Sequence, residues 1–198
     1  MHNVKREIRF GNRANIYDNG FEGRFLNKFY KMLIEFIDIS SDEALLDVAC
    51  GTGELLHRLN EIKEINGYGI DNDEKMVNMA KTKCPTLNIG MAGCDNIPFQ
   101  DKTFDVITVC MAYHHFENRY GFETETARLL KKDGKLYIAD LRLPTAIQKS
   151  CNAILKHFNI VAYFFTVEEI IENFSKLGFV FEKCVKSGVV QIVCLKKG

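Results

Sequence analysis

Short apolar runs alternate with segments of helical periodicity along most of this chain. Residues 45–49, 67–71, 87–91, 104–110 and 135–140 read as strands. The run Phe104-Asp105-Val106-Ile107-Thr108-Val109-Cys110 is nearly continuous in apolar residues, the pattern of a strand buried on both faces. Between the runs lie helical patterns. Phe21, Phe25, Phe29, Met32, Leu33, Phe36 and Ile37 predict a helix over 21–38, ended by Ser40-Ser41-Asp42. Residues 54–59 lead from the first strand into a second helix. Asp73 is placed to cap a third, carrying Met76, Val77, Met79 and Ala80, which Pro85 closes. A fourth surrounds 122–130, and Asp133-Gly134 turns the chain into the next strand. Thr166 and Glu169 have capping-box spacing at the start of a last helix that ends near Leu177-Gly178. Runs 179–186 and 189–196 flank Ser187-Gly188, a hairpin signal.

Strands that alternate with helices imply a parallel sheet with helices on both faces. The predicted fold is α/β: a doubly wound, mostly parallel seven-stranded sheet, Rossmann-like, ending in an antiparallel β-hairpin. One domain is expected over 1–198, with residues 1–40 as an N-terminal helical cap. The mixed, aromatic stretch 143–165 is expected as a lid over an acceptor site.

The corner after the first strand carries the chemistry. Leu45-Leu46-Asp47-Val48-Ala49-Cys50-Gly51-Thr52-Gly53 is an apolar run with an acid in it, followed by a tight Gly-x-Gly turn and a helix start. In a doubly wound sheet that corner holds a nucleotide. Glycine lets the backbone come close to a ligand. A carboxylate there repels phosphate and favours a cation, so Asp47 points to a phosphate-free nucleoside with a cationic tail. The third glycine of a dinucleotide fingerprint is replaced by Leu56, which also counts against a nicotinamide dinucleotide. Asp71 ends the second strand, where a carboxylate can accept from ribose hydroxyls. Asp73 fits the alternative role of helix cap better than Asp71 does.

Composition narrows the class. The 198 residues hold 26 Lys and Arg against 26 Asp and Glu, so bulk charge recruits neither nucleic acid nor an anionic membrane. No apolar run is long enough to span a bilayer, and the first residues lack the apolar stretch of a secretory signal. Seven scattered cysteines without a C-x-x-C pair suggest reduced thiols in a cytoplasm. The five histidines lack metal-ligand spacing, and no metal site is expected.

These motifs together resemble the class I S-adenosylmethionine-dependent methyltransferases of small-molecule type. Residues 46–53 are similar to that family's first motif, and Gly69-Ile70-Asp71 to its ribose-binding acid. Residues 96–105 resemble its "LPF…FD" segment. Residues 130–136 resemble its turn into the fifth strand, with Asp133 where proline is frequent. Tyr17-Asp18 resembles a pair found before its first helix. The resemblance implies roles. Asp47, Ala49 and the Gly51–Gly53 backbone would hold the methionine part of S-adenosylmethionine, and Tyr17 would close over it. Asp71 would take the ribose, and Asn72 would lie against the adenine. Cys94 and Asp95 would border the adenine edge, Gly93 standing where an acid is frequent. The Cys110 carbonyl would approach the cofactor's amino group.

The resemblance implies methyl transfer to a small-molecule acceptor by in-line displacement. His114 and His115 follow the fourth strand, and a histidine titrating near neutrality suits a general base. The alternative is that one packs beneath the lid and the other is solvated. Asp140 is a candidate to cap the loop before Arg142. Two further readings stand beside methyl transfer: a nicotinamide-dependent reductase, and a non-catalytic S-adenosylmethionine-binding protein. No nucleic-acid or membrane partner is expected, and the protein is expected as a monomer or homodimer.

Overall fold

The computed structural model describes residues 21–198, so Tyr17 lies outside the described residues. The chain runs α1 (Phe21–Phe36), β1 (Ala44–Val48), α2 (Glu54–Ile62), β2 (Asn66–Asp71), α3 (Glu74–Lys83), β3 (Asn88–Met91) and β4 (Phe104–Cys110). A 3₁₀ turn (Tyr113–His115) follows, then α4 (Arg119–Leu129), β5 (Leu130–Leu141), α5 (Thr145–His157), α6 (Val167–Ser175), β6 (Phe179–Ser187) and β7 (Val190–Lys197).

The seven strands form one sheet in the order β3-β2-β1-β4-β5-β7-β6. All neighbours are parallel except β7, which runs antiparallel to both β5 and β6. The expected architecture is therefore present, hairpin included. The hairpin turns at Gly188, whose φ of +59° is cheap for glycine.

Both faces of the central strands are covered, and consecutive residues split between them as the pleat requires. Leu46, Ile107 and Leu136 pack with Phe122, Leu129, Ile170 and Phe174 from α4 and α6. Leu45, Val106 and Tyr137 pack with Phe29 and Leu33 of α1 and Leu55, Leu56 and Leu59 of α2. The predicted caps form. Asp73 accepts from Lys75 N and Met76 N. Thr166 and Glu169 close a reciprocal capping box, with bonds of 3.1 and 2.7 Å.

Some boundaries moved. The turn at Asp133-Gly134 lies inside a longer β5, which starts at Leu130 opposite Phe104. Asp133 sits at φ +65°, a value proline's ring forbids, so this turn has its own reason to lack proline. Residues 145–157 of the mixed stretch form a helix, α5. Among the described residues no helix is long and apolar enough to cross a membrane.

The strand order positions the site. From β1 the chain winds through β2 to β3 on one side, then returns to β4 on the other. The carboxyl ends of β1 and β4 flank this switch, where the loops diverge and leave a crevice.

Candidate cofactor site

A cavity of about 540 Å³ occupies that crevice. Asp47 on β1, Asp71 ending β2, the loop at 92–95, Cys110 ending β4 and residues 115–118 all line it. Helix α1 adds Leu26 and Tyr30.

Asp47 is buried, 2% exposed, and its Oδ1 accepts a 2.7 Å bond from Thr108 Oγ1, its register neighbour on β4. Burial pushes its carboxyl up to about 7, while the threonine bond opposes the shift. Asp71 is also raised by burial, against the pull of the backbone N–H groups it accepts from. Those include Gly51 N and Asp73 N, each at 2.9 Å. Asp71 thus ties the glycine turn of β1 to the start of α3, and presents its carboxylate to the cavity at the same time.

The glycine turn is sharply folded. Ala49, Gly51 and Gly53 have φ of +57°, +54° and +78°. Two of its N–H groups are used inside the protein. Gly51 N donates to Asp71, and Gly53 N donates to Cys50 O at 2.9 Å. Gly53 does not line the cavity. A Cβ there would lie 3.1 Å from Ala80 Cβ, so this glycine serves the packing of α2 on α3.

The far wall is held by Arg128. Its guanidinium donates to the carbonyls of Ile97 and Phe99 and pairs with Glu125, whose Oε2 accepts from Ile97 N at 2.8 Å. The loop carrying Cys94 and Asp95 is thereby pinned to α4. Asn118 Nδ2 donates to Asp95 at 2.9 Å while its Oδ1 caps α4 at Gly121 N. Gly93 lines the cavity without any side chain to read an adenine amino group. Cys110 lines it with a thiol that burial, then Asp47 and Asp140, push well above its usual range.

The two histidines part company. His115 lines the cavity, whereas His114 does not. His114 is buried, with Nδ1 2.5 Å from Asp140 Oδ1 and its backbone N donating to Asp140 Oδ2 at 3.0 Å. Asp140 thus fixes the turn after β4. Phe164 stacks on the His114 ring at 5.9 Å between centroids, and Phe165 packs on Tyr113 at 4.8 Å. No residue of 143–165 lines this cavity, and Phe164 and Phe165 pack behind the turn that carries His115.

Leu26, Tyr30, Met76, Met111, Phe116, Glu117 and Asn118 line the cavity and were not singled out from sequence. Leu26 and Tyr30 are four apart on one edge of the apolar face of α1. Asn118 was readable as a cap before a helix. The others carry no local signal.

The lining decides what the cavity can hold. Asp47, Asp71, Asp73, Asp95 and Glu117 contribute carboxylates, and no Lys or Arg lines it among the described residues. A pyrophosphate would face uncompensated repulsion there, which disfavours a dinucleotide. A sulfonium and an ammonium with ribose hydroxyls match the set.

Residues 46–138 match the family described as "Methyltransferase domain". Over those residues, just under half of its length, the chain is similar to a methyltransferase domain. It is 31% identical over 118 residues to the demethylmenaquinone methyltransferase of Thermotoga maritima, covering 59% of this chain and 52% of that one. The chain spans about half the length of the curated relatives it matches. The fold is that of a methyltransferase solved in complex with the Haloferax volcanii Trm112 activator, with a TM-score of 0.80 at 19% identity over 94% of this chain and 96% of that one. It is also that of the [4+2]-cyclase SpnF, with a TM-score of 0.74 at 15% identity over 86% of this chain and 81% of that one. One fold thus carries more than one chemistry, and the site must be argued separately. The family's methyl donor is S-adenosylmethionine, and the five-carboxylate lining with its glycine turn fits that molecule.

Proposed function

We propose that this chain transfers a methyl group from S-adenosylmethionine to a small-molecule acceptor, and that the acceptor is an electron-rich ring carbon of the quinol class. The observation that carries the donor half is the buried Asp47 facing a cavity lined by carboxylates and free of Lys and Arg among the described residues. The acceptor half is supported by the likeness to the demethylmenaquinone methyltransferase of Thermotoga maritima.

The cofactor supplies an activated methyl group on a sulfonium. The chain's part is to bind, orient and exclude water. Asp47 would hold the cationic methionine portion, and Asp71 the ribose. Asn72 and Met76 would border the adenine on one side, Cys94 and Asp95 on the other. The carbonyl of Cys110 and the turn at Ala49 would close the methionine end. His115 is the titratable imidazole on the cavity wall, and it would accept a proton from the acceptor hydroxyl at Nδ1 or Nε2. Asp140 and His114 would position it by fixing the turn that carries it. We read the protein as cytoplasmic, on its seven scattered cysteines without a C-x-x-C pair.

Calorimetry with S-adenosylmethionine and with NAD tests the donor. Methyl incorporation into a demethylated quinol, followed by mass spectrometry, tests the acceptor. Tight binding of NAD with none of S-adenosylmethionine would sink the reading. Donor binding without transfer to any quinol would leave a binding protein or another acceptor class.

A further inference from the structure

The outer surface of residues 142–161 is unlike the rest of the molecule. Ile147 and Ile154, seven apart on α5, share one side of the helix, and Phe158 at its end continues that side. They are 52%, 55% and 67% exposed, and Ile160 and Val161 beyond them are 51% and 36% exposed. This is five large apolar side chains held in water along about fifteen residues. Isolated exposed apolar residues are ordinary, but a contiguous set marks a contact surface.

The set is anchored. On the inner side of α5, Gln148 donates to the Phe164 carbonyl at 2.7 Å. Asn152 bonds the Phe164 backbone in both directions, at 2.9 Å each. The apolar side chains therefore project from a fixed frame.

Charge says what covers them. From Leu141 to Val167 the sequence has no Asp or Glu, while Arg142, Lys149 and Lys156 are present. All three are exposed, and none forms an ion pair among the described residues. The chain is neutral as a whole, so this is a local cationic strip, with Lys149 and Lys156 on the flank of α5 opposite Ile147 and Ile154. That pairing is the signature of a helix lying in the headgroup region of an anionic bilayer, apolar side chains inserted and lysines on phosphates. A protein partner of that polarity would need carboxylates matched to its apolar patch, whereas an anionic bilayer offers both at once.

We propose that the 142–161 face docks on the surface of an anionic phospholipid bilayer. The segment also reaches the site. Tyr163 N donates to His114 O at 2.9 Å, and the Val161 carbonyl lies 3.5 Å from His115 Nδ1 on the cavity wall. Docking would set the cavity wall beside the lipid, and a lipophilic acceptor would then enter from it; that last step rests on the methyltransferase reading, whereas docking does not.

Cosedimentation of the full chain with phosphatidylglycerol-rich vesicles against phosphatidylcholine vesicles tests the proposal. We expect binding to the former that weakens with salt, and little to the latter. The pair Lys149→Glu and Lys156→Glu should lower partitioning roughly thirtyfold or more. The pair Ile154→Glu and Phe158→Glu should abolish it, while Val180→Glu, on the exposed part of β6, should not change it. Thermal melts keep folding defects apart from binding defects. Absence of wild-type binding to the anionic vesicles overturns the proposal. So does a dimer that Ile154→Glu and Phe158→Glu dissociates in sedimentation when vesicles do not bind. Vesicle binding by a protein that fails to bind S-adenosylmethionine would sustain docking and refute the functional reading.

Discussion

The Thr108 hydroxyl donates a 2.7 Å bond to Asp47 Oδ1 across the β1–β4 pair, and both side chains are buried. This hydroxyl favours the charged form of the acid that would bind the cationic end of the cofactor. Thr108→Val keeps the shape and removes the bond. We expect S-adenosylmethionine affinity to fall roughly tenfold, in line with about 1.5–3 kcal/mol for a bond to a charged group. Calorimetry between pH 6 and 9 should show the midpoint of binding moving to higher pH. An unchanged affinity and pH profile would remove Asp47 from cation binding.

Asp47 itself trades stability for binding. Its folded carboxyl titrates near 7, above its ordinary value of 3.8, because burial disfavours the charge. The folded state thus holds more protons than the unfolded state between those values. Stability from this group is full at low pH and is lost as pH rises through about 7. Asp47→Asn mimics the protonated form. The variant should melt several degrees above wild type at pH 8 without ligand, and together with it near pH 4, while cofactor binding is lost at both. A variant that melts lower at pH 8 would contradict this sign.

The two glycines of the turn should separate by experiment. Gly53→Ala meets a left-handed backbone and Ala80 at 3.1 Å, away from the cavity. Left-handed backbone costs about 1–2 kcal/mol for a side chain, so the melting temperature should drop by roughly 3–8 °C with affinity little changed. Gly51→Ala meets no heavy atom within 4 Å and lines the cavity. With φ at +54° it carries the same left-handed strain, so it should lose stability about as Gly53→Ala does and, unlike that variant, lose affinity as well. Differential scanning calorimetry and cofactor titration on both variants decide the matter, and the reverse ranking of affinities would refute the assignment.

His115 and His114 should fail differently. His115→Ala should keep the fold and cofactor binding and lower turnover by about 10²-fold or more, with loss of the acidic limb of the pH–rate profile. His114→Ala strips the buried Asp140 of its imidazole partner, a change that costs about 3–5 kcal/mol when a buried charge loses its pair. It should unfold at markedly lower denaturant. Equal stability of the two variants would mean that the Asp140–His114 contact is not structural.

Much of this was legible along the chain because it is local. The 2-fold and 3.6-fold periodicities placed the strands and helices, since each element buries a face that its own neighbours in sequence define. Thr166 and Glu169 announced their capping box, and Asp73 its cap, for the same reason. The acid in β1 and the absent third glycine already indicated a cation rather than a phosphate. Sequence spacing could not tell that Gly51 N is consumed by Asp71, a residue 20 positions away. It also could not separate two adjacent histidines, because Asp140 on β5 decides which one turns inward.

By itself, then, the sequence determined the alternating α/β pattern, the terminal hairpin and the acidic nucleoside corner. Tertiary structure alone gathered Asp47, Asp71, Asp73, Asp95 and Glu117 around one cavity without Lys or Arg among the described residues. It also buried His114, and it packed Tyr163, Phe164 and Phe165 half-buried against the turn after β4 while leaving Ile147, Ile154 and Phe158 in water. The physical reason is the crossover after β3. It returns the chain to the far side of β1, so residues dozens of positions apart meet at the ends of strands whose register only the assembled sheet fixes.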